Sequence, residues 1–315
     1  IGGYAELPNP WAAYQHGPVA MLEPKFTKKG LLEEHLLWTW TPGVDLDIQE
    51  GYQYVAPRTR LAVNRWFFGV VNLGFAHDIR KVDFFNVNER LAAGDSILGR
   101  DFKDPFVLSR LETEASVFFT DSIVKPANGV ILDAGYAFSG SWLLSDFDFH
   151  QVSTGVRAYW RPAPRLQLAS QLGSGLIIPY GAEGSSPFSH RLYLGGSNDV
   201  RGWGARRLAP RLEECDDTGE CDSIPVGGQT QVHGTVEARL WLFWKLFWVV
   251  FGDMGDVQAE ALTWKPEEWN YTAGSGVRID TPMGRIRLDF GWRLNDPGVY
   301  DEKRWAVHFG FGEAF

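Results

Sequence analysis

The chain lacks a long apolar segment and an excess of positive charge. Its longest strongly apolar run, residues 240–252, spans 13 residues and contains Lys245. A membrane-spanning helix needs about 20 apolar residues, so helical membrane spans are excluded. The 30 Lys and Arg residues are outnumbered by 39 Asp and Glu, giving a formal net charge of −9. That balance disfavours nucleic acids and anionic lipid headgroups as binding partners.

Cysteine is scarce as well. The only two, Cys215 and Cys221, flank an acidic segment, Glu-Cys-Asp-Asp-Thr-Gly-Glu-Cys. This spacing favours a small disulfide ring in an oxidising compartment, with two free thiols as the alternative. Two cysteines without a nearby histidine cannot complete a tetrahedral zinc site. The acidic residues around them lack the regular spacing of a calcium loop.

Catalytic motifs are also missing. The sequence contains neither Gly-x-Ser-x-Gly nor His-Glu-x-x-His, and its seven histidines are scattered. We therefore predict that the protein is not an enzyme and uses no metal or cofactor.

Glycine and aromatic residues are abundant. The chain has 35 glycines and 14 tryptophans, aromatic residues make up 14%, and hydrophobic residues make up 44%. So high an apolar content excludes a disordered chain, which carries too few apolar residues to form a core.

The apolar residues recur at every second position in segments of about ten residues. Residues 284–293 show this best: Ile286, Leu288, Phe290 and Trp292 share one face, and Arg285, Arg287, Asp289 and Arg293 share the other. Aromatic residues stand near segment ends, the opposite faces are polar, and short turns alternate with longer loops. This combination is typical of an outer-membrane β-barrel with an aromatic girdle and a polar lumen. We predict an all-β, antiparallel transmembrane barrel.

The alternation predicts thirteen or fourteen strands. Nine of them lie in the C-terminal two thirds, at 107–120, 129–139, 150–160, 165–177, 231–242, 246–257, 271–280, 284–293 and 304–315. The N-terminal third offers 19–26, 31–41, 48–55 and 61–75, with 78–105 as a long loop.

A stretch between the fourth and fifth of those nine strands resembles a known family. Residues 191–204 read Arg-Leu-Tyr-Leu-Gly-Gly-Ser-Asn-Asp-Val-Arg-Gly-Trp-Gly and are followed by Leu-Ala-Pro-Arg and Val-Gly-Gly. The stretch resembles the outer-membrane assembly-barrel superfamily, which includes BamA, TamA, two-partner secretion transporters and bacterial surface antigens. That family carries Gly-Gly-x-x-x-Val-Arg-Gly-aromatic on a long loop folded into the barrel. The matching residues here are Gly195, Gly196, Val200, Arg201, Gly202 and Trp203.

The resemblance implies a lock on this loop, which we place at about residues 181–230. Such a loop has few apolar contacts in a water-filled barrel, so an Arg fork against carboxylates can anchor it. Alternation places Glu237 in the lumen, whereas Asp253 is placed there by the resemblance alone. We expect Arg201 to be held by Glu237, Asp253 or both, with Gly202 and Gly204 allowing a tight turn.

The C-terminus resembles the signal that the assembly machinery reads. It comprises Trp305, Phe309, Phe311 and Phe315, with Gly310 and Gly312 between them. We expect this strand to close weakly against the first strand and to open as a lateral gate, because glycines offer no side chains to pack.

We treat residues 1–315 as one barrel domain without the periplasmic repeats that precede such barrels. The resemblance implies sixteen strands, and we expect that the chain is cut on its N-terminal side. The expected function is insertion or translocation of outer-membrane proteins in a Gram-negative outer membrane. Expected partners are membrane lipid, unfolded outer-membrane clients, and accessory lipoproteins or an inner-membrane protein. The alternatives are a two-partner-type secretion pore, for which the sequence shows no plug helix, and a passive porin, in which the Val-Arg-Gly loop would be superfluous.

Overall fold

The computed structural model describes residues 20–49, 52–87, 102–123, 125–181, 186–215, 221–281, 284–295 and 303–311. One antiparallel sheet of fourteen strands dominates these residues, and a separate two-stranded hairpin lies beside it. Within the same ranges, no helix is long and apolar enough to cross a membrane.

Neighbouring strands of the large sheet follow each other in the sequence, as in an up-and-down meander. The strands are β1 (Ala20–Leu22), β2 (Phe26–Lys29), β3 (Leu36–Gln49), β4 (Tyr52–Phe67), β5 (Val71–Val87), β6 (Phe106–Thr120), β7 (Gly129–Ser139), β8 (Phe149–Ala163), β9 (Leu166–Pro179), β12 (Thr230–Phe243), β13 (Leu246–Gln258), β14 (Asn270–Thr281), β15 (Gly284–Arg293) and β16 (Trp305–Phe311). The hairpin consists of β10 (Arg211–Cys215) and β11 (Cys221–Pro225).

The first edge of the sheet is a broken strand. Both β1 and β2 pair with β3, whose other side pairs with β4, so the two short strands share one position along that edge. Pro24 lies in the gap between them, and Pro42 lies opposite it on β3. Because proline has no backbone N–H to donate, it interrupts the ladder there. The fourteen strands therefore occupy thirteen positions, in agreement with the predicted count.

Side chains alternate between the two faces of the sheet, as the sequence predicts. On β15, Leu288 and Phe290 are 47% and 43% exposed on the outer face, whereas Asp289 is fully buried on the inner one. The connections at one end of the strands include the short turns 164–165 and 244–245, and the longer connections between β5 and β6 and between β9 and β12 lie at the other end. Exposed apolar residues outside and buried charges inside define a transmembrane barrel wall.

The predicted boundaries in the N-terminal third are wrong. Instead of strands at 48–55 and 61–75, β3 ends at Gln49, β4 runs from Tyr52 to Phe67, and residues 78–87 continue β5 rather than starting a loop. The cause lies in the inner face, where Tyr52, Tyr54 and Ala56 are buried and apolar. Polar Gln53, Lys81 and Asp83 lie on the outer face there, so the contrast between an apolar outer face and a polar inner face that marks a barrel strand is lost.

Part of the barrel interior is apolar rather than polar. Tyr52, Phe106, Phe149 and other strand residues form a buried cluster near the end that carries the long loops, and Phe188 and Val226 of loop 180–229 join it. The same loop also contacts β13 through Val257 and β16 through His308. Since one loop touches strands from both halves of the sheet, the sheet curves around it.

Candidate functional site

Loop 180–229 returns into the barrel as a compact structure of its own. Two isolated backbone bridges, Leu192 with Gly228 and Leu194 with Leu208, fold it back on itself. Gly195 and Gly196 have φ values of +100° and +117°, a region that only glycine adopts readily. The tight turn before the Val-Arg-Gly motif therefore depends on these two glycines.

Arg201 lies at the centre of the site and is 1% exposed. Its Nη1 donates to Glu237 Oε2 at 2.7 Å, while Nε and Nη2 donate to the two oxygens of Asp253 at 3.0 and 2.8 Å. The backbone N–H of Arg201 also donates to Asp253, at 3.0 Å. The structure thus brings together all three residues that the sequence grouped, with a bidentate fork on Asp253.

The strand register explains how the two carboxylates meet one guanidinium. Thr235 of β12 pairs with Asp253 of β13, and Glu237 pairs with Phe251. Glu237 and Asp253 therefore stand diagonally across adjacent strands on the inner face, within reach of one planar side chain. The Arg201 guanidinium lies over the Phe251 ring, 3.4 Å from its centroid. The ring covers one face of the planar guanidinium, a direction in which the group has no N–H donors.

Further charged side chains surround this fork. Glu237 also accepts from Arg239 Nε at 2.6 Å and from Arg278 Nη2 at 3.4 Å. Arg278 in turn donates to Asp289, whose other oxygen lies 3.8 Å from Arg201 Nη1. One carboxylate, Glu237, thus contacts three guanidinium groups, and the charged side chains form a continuous network across β12 to β15.

The backbone of the loop is held as firmly as the Arg201 side chain. Arg287 Nη1 donates to the Ser197 carbonyl at 2.8 Å, Arg293 Nε to the Gly202 carbonyl at 3.0 Å, and His308 Nε2 to the Arg201 carbonyl at 2.9 Å. The alternation predicts Arg287 and Arg293 on the lumen face, but it predicts no binding partner for either side chain. No spacing signals such contacts, because a carbonyl acceptor is present at every residue.

Small residues of the wall make room for the loop. A Cβ atom on Gly291 would overlap the Arg201 carbonyl oxygen, and one on Gly310 would overlap the Arg287 side chain. Gly202 has no positive φ, but a Cβ there would overlap Thr272. The expected turn at Gly202 does form, because the Trp203 N–H donates to the Val200 carbonyl at 3.1 Å, but close packing against β14 is the reason for glycine at this position.

The expectation that the loop has few apolar contacts is wrong. Leu194, Val200, Trp203 and Leu208 pack with Val257 of β13 in a buried cluster. Trp203 is 1% exposed, and the Arg293 guanidinium stacks on its ring at 3.6 Å. Burial of a tryptophan and three aliphatic side chains adds an apolar anchor to the charged one.

The other predicted residues lie away from this site. Phe309 and Phe311 of β16 face outward at 48% and 58% exposure. Trp305 is half-buried on the same face, and its ring stacks with that of Phe290 at a centroid distance of 6.0 Å. Gly312 and Phe315 fall outside the described residues.

The cysteines stand opposite each other in the hairpin. The backbone register pairs Cys215 of β10 with Cys221 of β11. Their side chains lie outside the described part of the chain, so the disulfide stays a prediction.

An antiparallel barrel wall with an inward loop, locked through a Val-Arg-Gly arginine, defines a class of outer-membrane transport and assembly barrels. The sequence matches the Omp85 superfamily domain over residues 69–315, more than half of the chain. The chain belongs to the Omp85 superfamily. It is accordingly an outer-membrane protein of the Gram-negative type, and its family consists of assembly factors and transporters rather than enzymes.

Individual relatives agree with this assignment. Outer membrane protein assembly factor BamA of Nitratidesulfovibrio vulgaris is 29% identical over 202 residues, covering 62% of this chain and 24% of that protein. The chloroplastic outer envelope protein 80 of Oryza sativa subsp. japonica is 26% identical over 240 residues, covering 73% of this chain and 29% of the relative. The chain spans about a quarter of the length of these curated relatives.

Solved structures show the same fold. BamA of Haemophilus ducreyi lacking POTRA domains 1–3 superimposes with a TM-score of 0.76 at 12% identity, covering 93% of this chain and 62% of that one. CdiB of Escherichia coli superimposes with a TM-score of 0.55 at 12% identity, covering 93% and 53%.

Proposed function

We propose that this chain is the membrane barrel of an outer-membrane protein insertion factor, and that it works through a lateral gate between the two ends of its sheet. The observation that carries the proposal is that both ends of the sheet are open edges within the described residues. At the C-terminal end, β16 pairs with β15 on one side only. The first edge is the broken pair β1 and β2. Within the described residues, neither edge has a strand on its far side.

Such edges can template a client strand without an energy cofactor. Each backbone hydrogen bond formed with the client replaces one lost at the seam, so the exchange is nearly neutral in free energy. Burial of the client's apolar face in lipid then drives insertion forward. The outward Phe309 and Phe311 of β16 keep the gate strand in contact with lipid while its edge is exchanged.

The proposed partners follow from this mechanism. Unfolded outer-membrane proteins are the clients, and membrane lipid is the medium that receives them. The relative from Nitratidesulfovibrio vulgaris is an outer membrane protein assembly factor, which supports the same duty here. We further propose accessory assembly lipoproteins or an inner-membrane partner that acts with the full-length protein.

A reversible cross-link tests the gate. In full-length protein with Cys215 and Cys221 replaced by Ser, a panel of cysteine pairs joins Phe26 or Lys28 of β2 to Val307 or Phe309 of β16, all of which lie on the outer face. Pairs that form a disulfide should stop client insertion into lipid vesicles, and a reductant should restore it. The matched control is a disulfide between Val277 and Leu288, which pair across β14 and β15.

The control disulfide should leave insertion unchanged, because that ladder does not open in the mechanism. Full client insertion by a barrel locked at its seam contradicts the gate. Passage of an extended polypeptide through the locked barrel would move the function to a secretion pore.

A further inference from the structure

A second arginine of the inward loop reaches the opposite end of the sheet. Arg206 follows Arg201 by five residues and lies outside the Val-Arg-Gly motif. Its Nη2 donates to Tyr52 Oη at 3.1 Å, and its Nη1 lies 3.4 Å from Asp47 Oδ2. Tyr193 of the same loop lies beneath the guanidinium, with the ring centroid 4.1 Å from Cζ.

The partners of Arg206 belong to the N-terminal edge region. Asp47 is on β3 and Tyr52 begins β4. The residue before Asp47, Leu46, pairs with Ala20 of β1, the broken edge strand. Arg206 therefore holds the sheet one strand away from the first edge of its described part.

Arg201 holds the other end. Its carbonyl accepts from His308, which lies on the last strand, β16. A fully extended chain spans at most about 3.6 Å per residue, so five residues span no more than about 18 Å. The two ends of the sheet are thus connected by a short stretch of loop anchored at both ends.

The backbone of Arg206 fits this role. Its φ is +60°, a left-handed conformation that residues with a Cβ rarely adopt. This turn aims the side chain away from the Arg201 network and toward β3 and β4. Strained conformations persist where the surrounding contacts hold them, and here the stacked ring and the two oxygen partners do so.

We infer that residues 201–206 form a clasp across the seam, and that Arg206 is a positioning residue that limits the separation of the two sheet ends. The Arg201 network fixes the loop to β12, β13 and β16. Arg206 couples that fixed loop to β3 and β4. Release of Arg206 frees the N-terminal edge while the C-terminal anchor stays in place. This inference concerns the spacing of the edges and holds whether a client inserts at the seam or passes through the lumen.

A distance measurement across the seam tests the clasp. Spin labels at Lys28 of β2 and Phe309 of β16, in full-length protein in lipid vesicles with both native cysteines replaced by Ser, report the edge separation by pulsed electron paramagnetic resonance. Arg206→Ala should shift the distance distribution to longer values and broaden it. Arg206→Lys should give an intermediate distribution, because the charge toward Asp47 persists while the planar stack on Tyr193 is lost.

Two controls separate the clasp from general loosening. Labels at Val156 and Val250, on the interior strands β8 and β13, should keep their distribution in the Arg206→Ala variant. Arg65→Ala removes an ion pair with Glu33 at 2.6 Å that lies away from the loop, on side chains 37% exposed. It should leave the seam distance unchanged.

An unchanged seam distance in folded Arg206→Ala overturns the clasp, as does an equal broadening of both label pairs. If Arg206→Ala does not fold, Asp47→Asn decides instead, because it keeps the stacked guanidinium and the Tyr52 contact. Asp47→Asn should lengthen the seam distance by less than the alanine variant, and no change there overturns the inference as well.

Discussion

Replacing Arg201 by Ala should destabilise the barrel chiefly through Asp253. Without the guanidinium, Glu237 still accepts from Arg239 at 2.6 Å and from Arg278 at 3.4 Å. Asp253 keeps only the backbone N–H of residue 201 and a Thr272 hydroxyl at 3.5 Å. Breaking a buried ion pair by removing one partner costs about 3–5 kcal/mol, because the remaining charge stays desolvated. We expect a loss of that size in the free energy of unfolding.

A double variant tests whether the uncompensated charge of Asp253 causes the loss of stability. Arg201→Ala combined with Asp253→Asn should be more stable than Arg201→Ala alone, since the uncompensated charge is gone. Urea unfolding in lipid vesicles, followed by circular dichroism, measures all four corners of this cycle, and Arg201→Lys should fall between wild type and Ala. Strictly additive effects, or a loss below about 0.5 kcal/mol in Arg201→Ala, the range of ordinary surface substitutions, would refute the buried fork as an anchor.

The same assay ranks the two carboxylates. Glu237 lies within 3.4 Å of three guanidinium groups, whereas Asp253 contacts one. Glu237→Gln should therefore destabilise more than Asp253→Asn, although each removes one charge and keeps the side-chain shape. An equal or reversed order would mean that hydrogen-bond geometry outweighs the charge balance at this site.

Two further predictions concern packing and the hairpin. Gly291→Ala should displace the loop and lower the melting temperature, because its Cβ would overlap the Arg201 carbonyl. Gly252→Ala is the matched control, since its Cβ would meet only a carbonyl oxygen at 3.8 Å, and equal melting temperatures for the two variants would contradict the argument. Replacing Cys215 and Cys221 by Ser should leave barrel assembly intact, because their ring closes no wall strand. Intact mass with and without reductant checks for the disulfide itself, and an unchanged mass would contradict it.

The C-terminal two thirds of the fold could be predicted because lipid and lumen impose opposite demands on alternate residues. On β15 the pattern placed Arg287 and Asp289 inward and Leu288 outward, and the structure agrees. The pattern failed at Tyr52 and Tyr54, where the inner face packs against an apolar cluster instead of water. The prediction relied on an apolar outer face and a polar inner face, so it failed where the inner face is apolar and polar Gln53 lies on the outer one.

The site could be predicted only as far as its side-chain pairs. Arg201, Glu237 and Asp253 came from a motif and from strand parity. Gly310 shows where prediction from the sequence ends. The sequence predicts that this glycine weakens the last strand, because it has no side chain to pack. In the structure its missing Cβ leaves room for Arg287, whose guanidinium holds the Ser197 carbonyl of the loop. Interactions with backbone carbonyls and close approaches to glycine depend on the three-dimensional path of the loop, which no local pattern encodes.

The charge balance of the described site shows why wall and loop depend on each other. The site contains five arginines and three carboxylates, so the arginines outnumber the carboxylates. The arginines are Arg201, Arg239, Arg278, Arg287 and Arg293, and the carboxylates are Glu237, Asp253 and Asp289. Arg287 and Arg293 donate to loop carbonyls at 2.8 and 3.0 Å. Buried cations need acceptors, and here the folded-back loop supplies them through its backbone. The loop in turn needs the wall, because Arg201 finds its carboxylates only there. A barrel deprived of this loop would therefore leave cations of its wall without these acceptors, so the loop is part of the folded core and not an appendage within an independent pore.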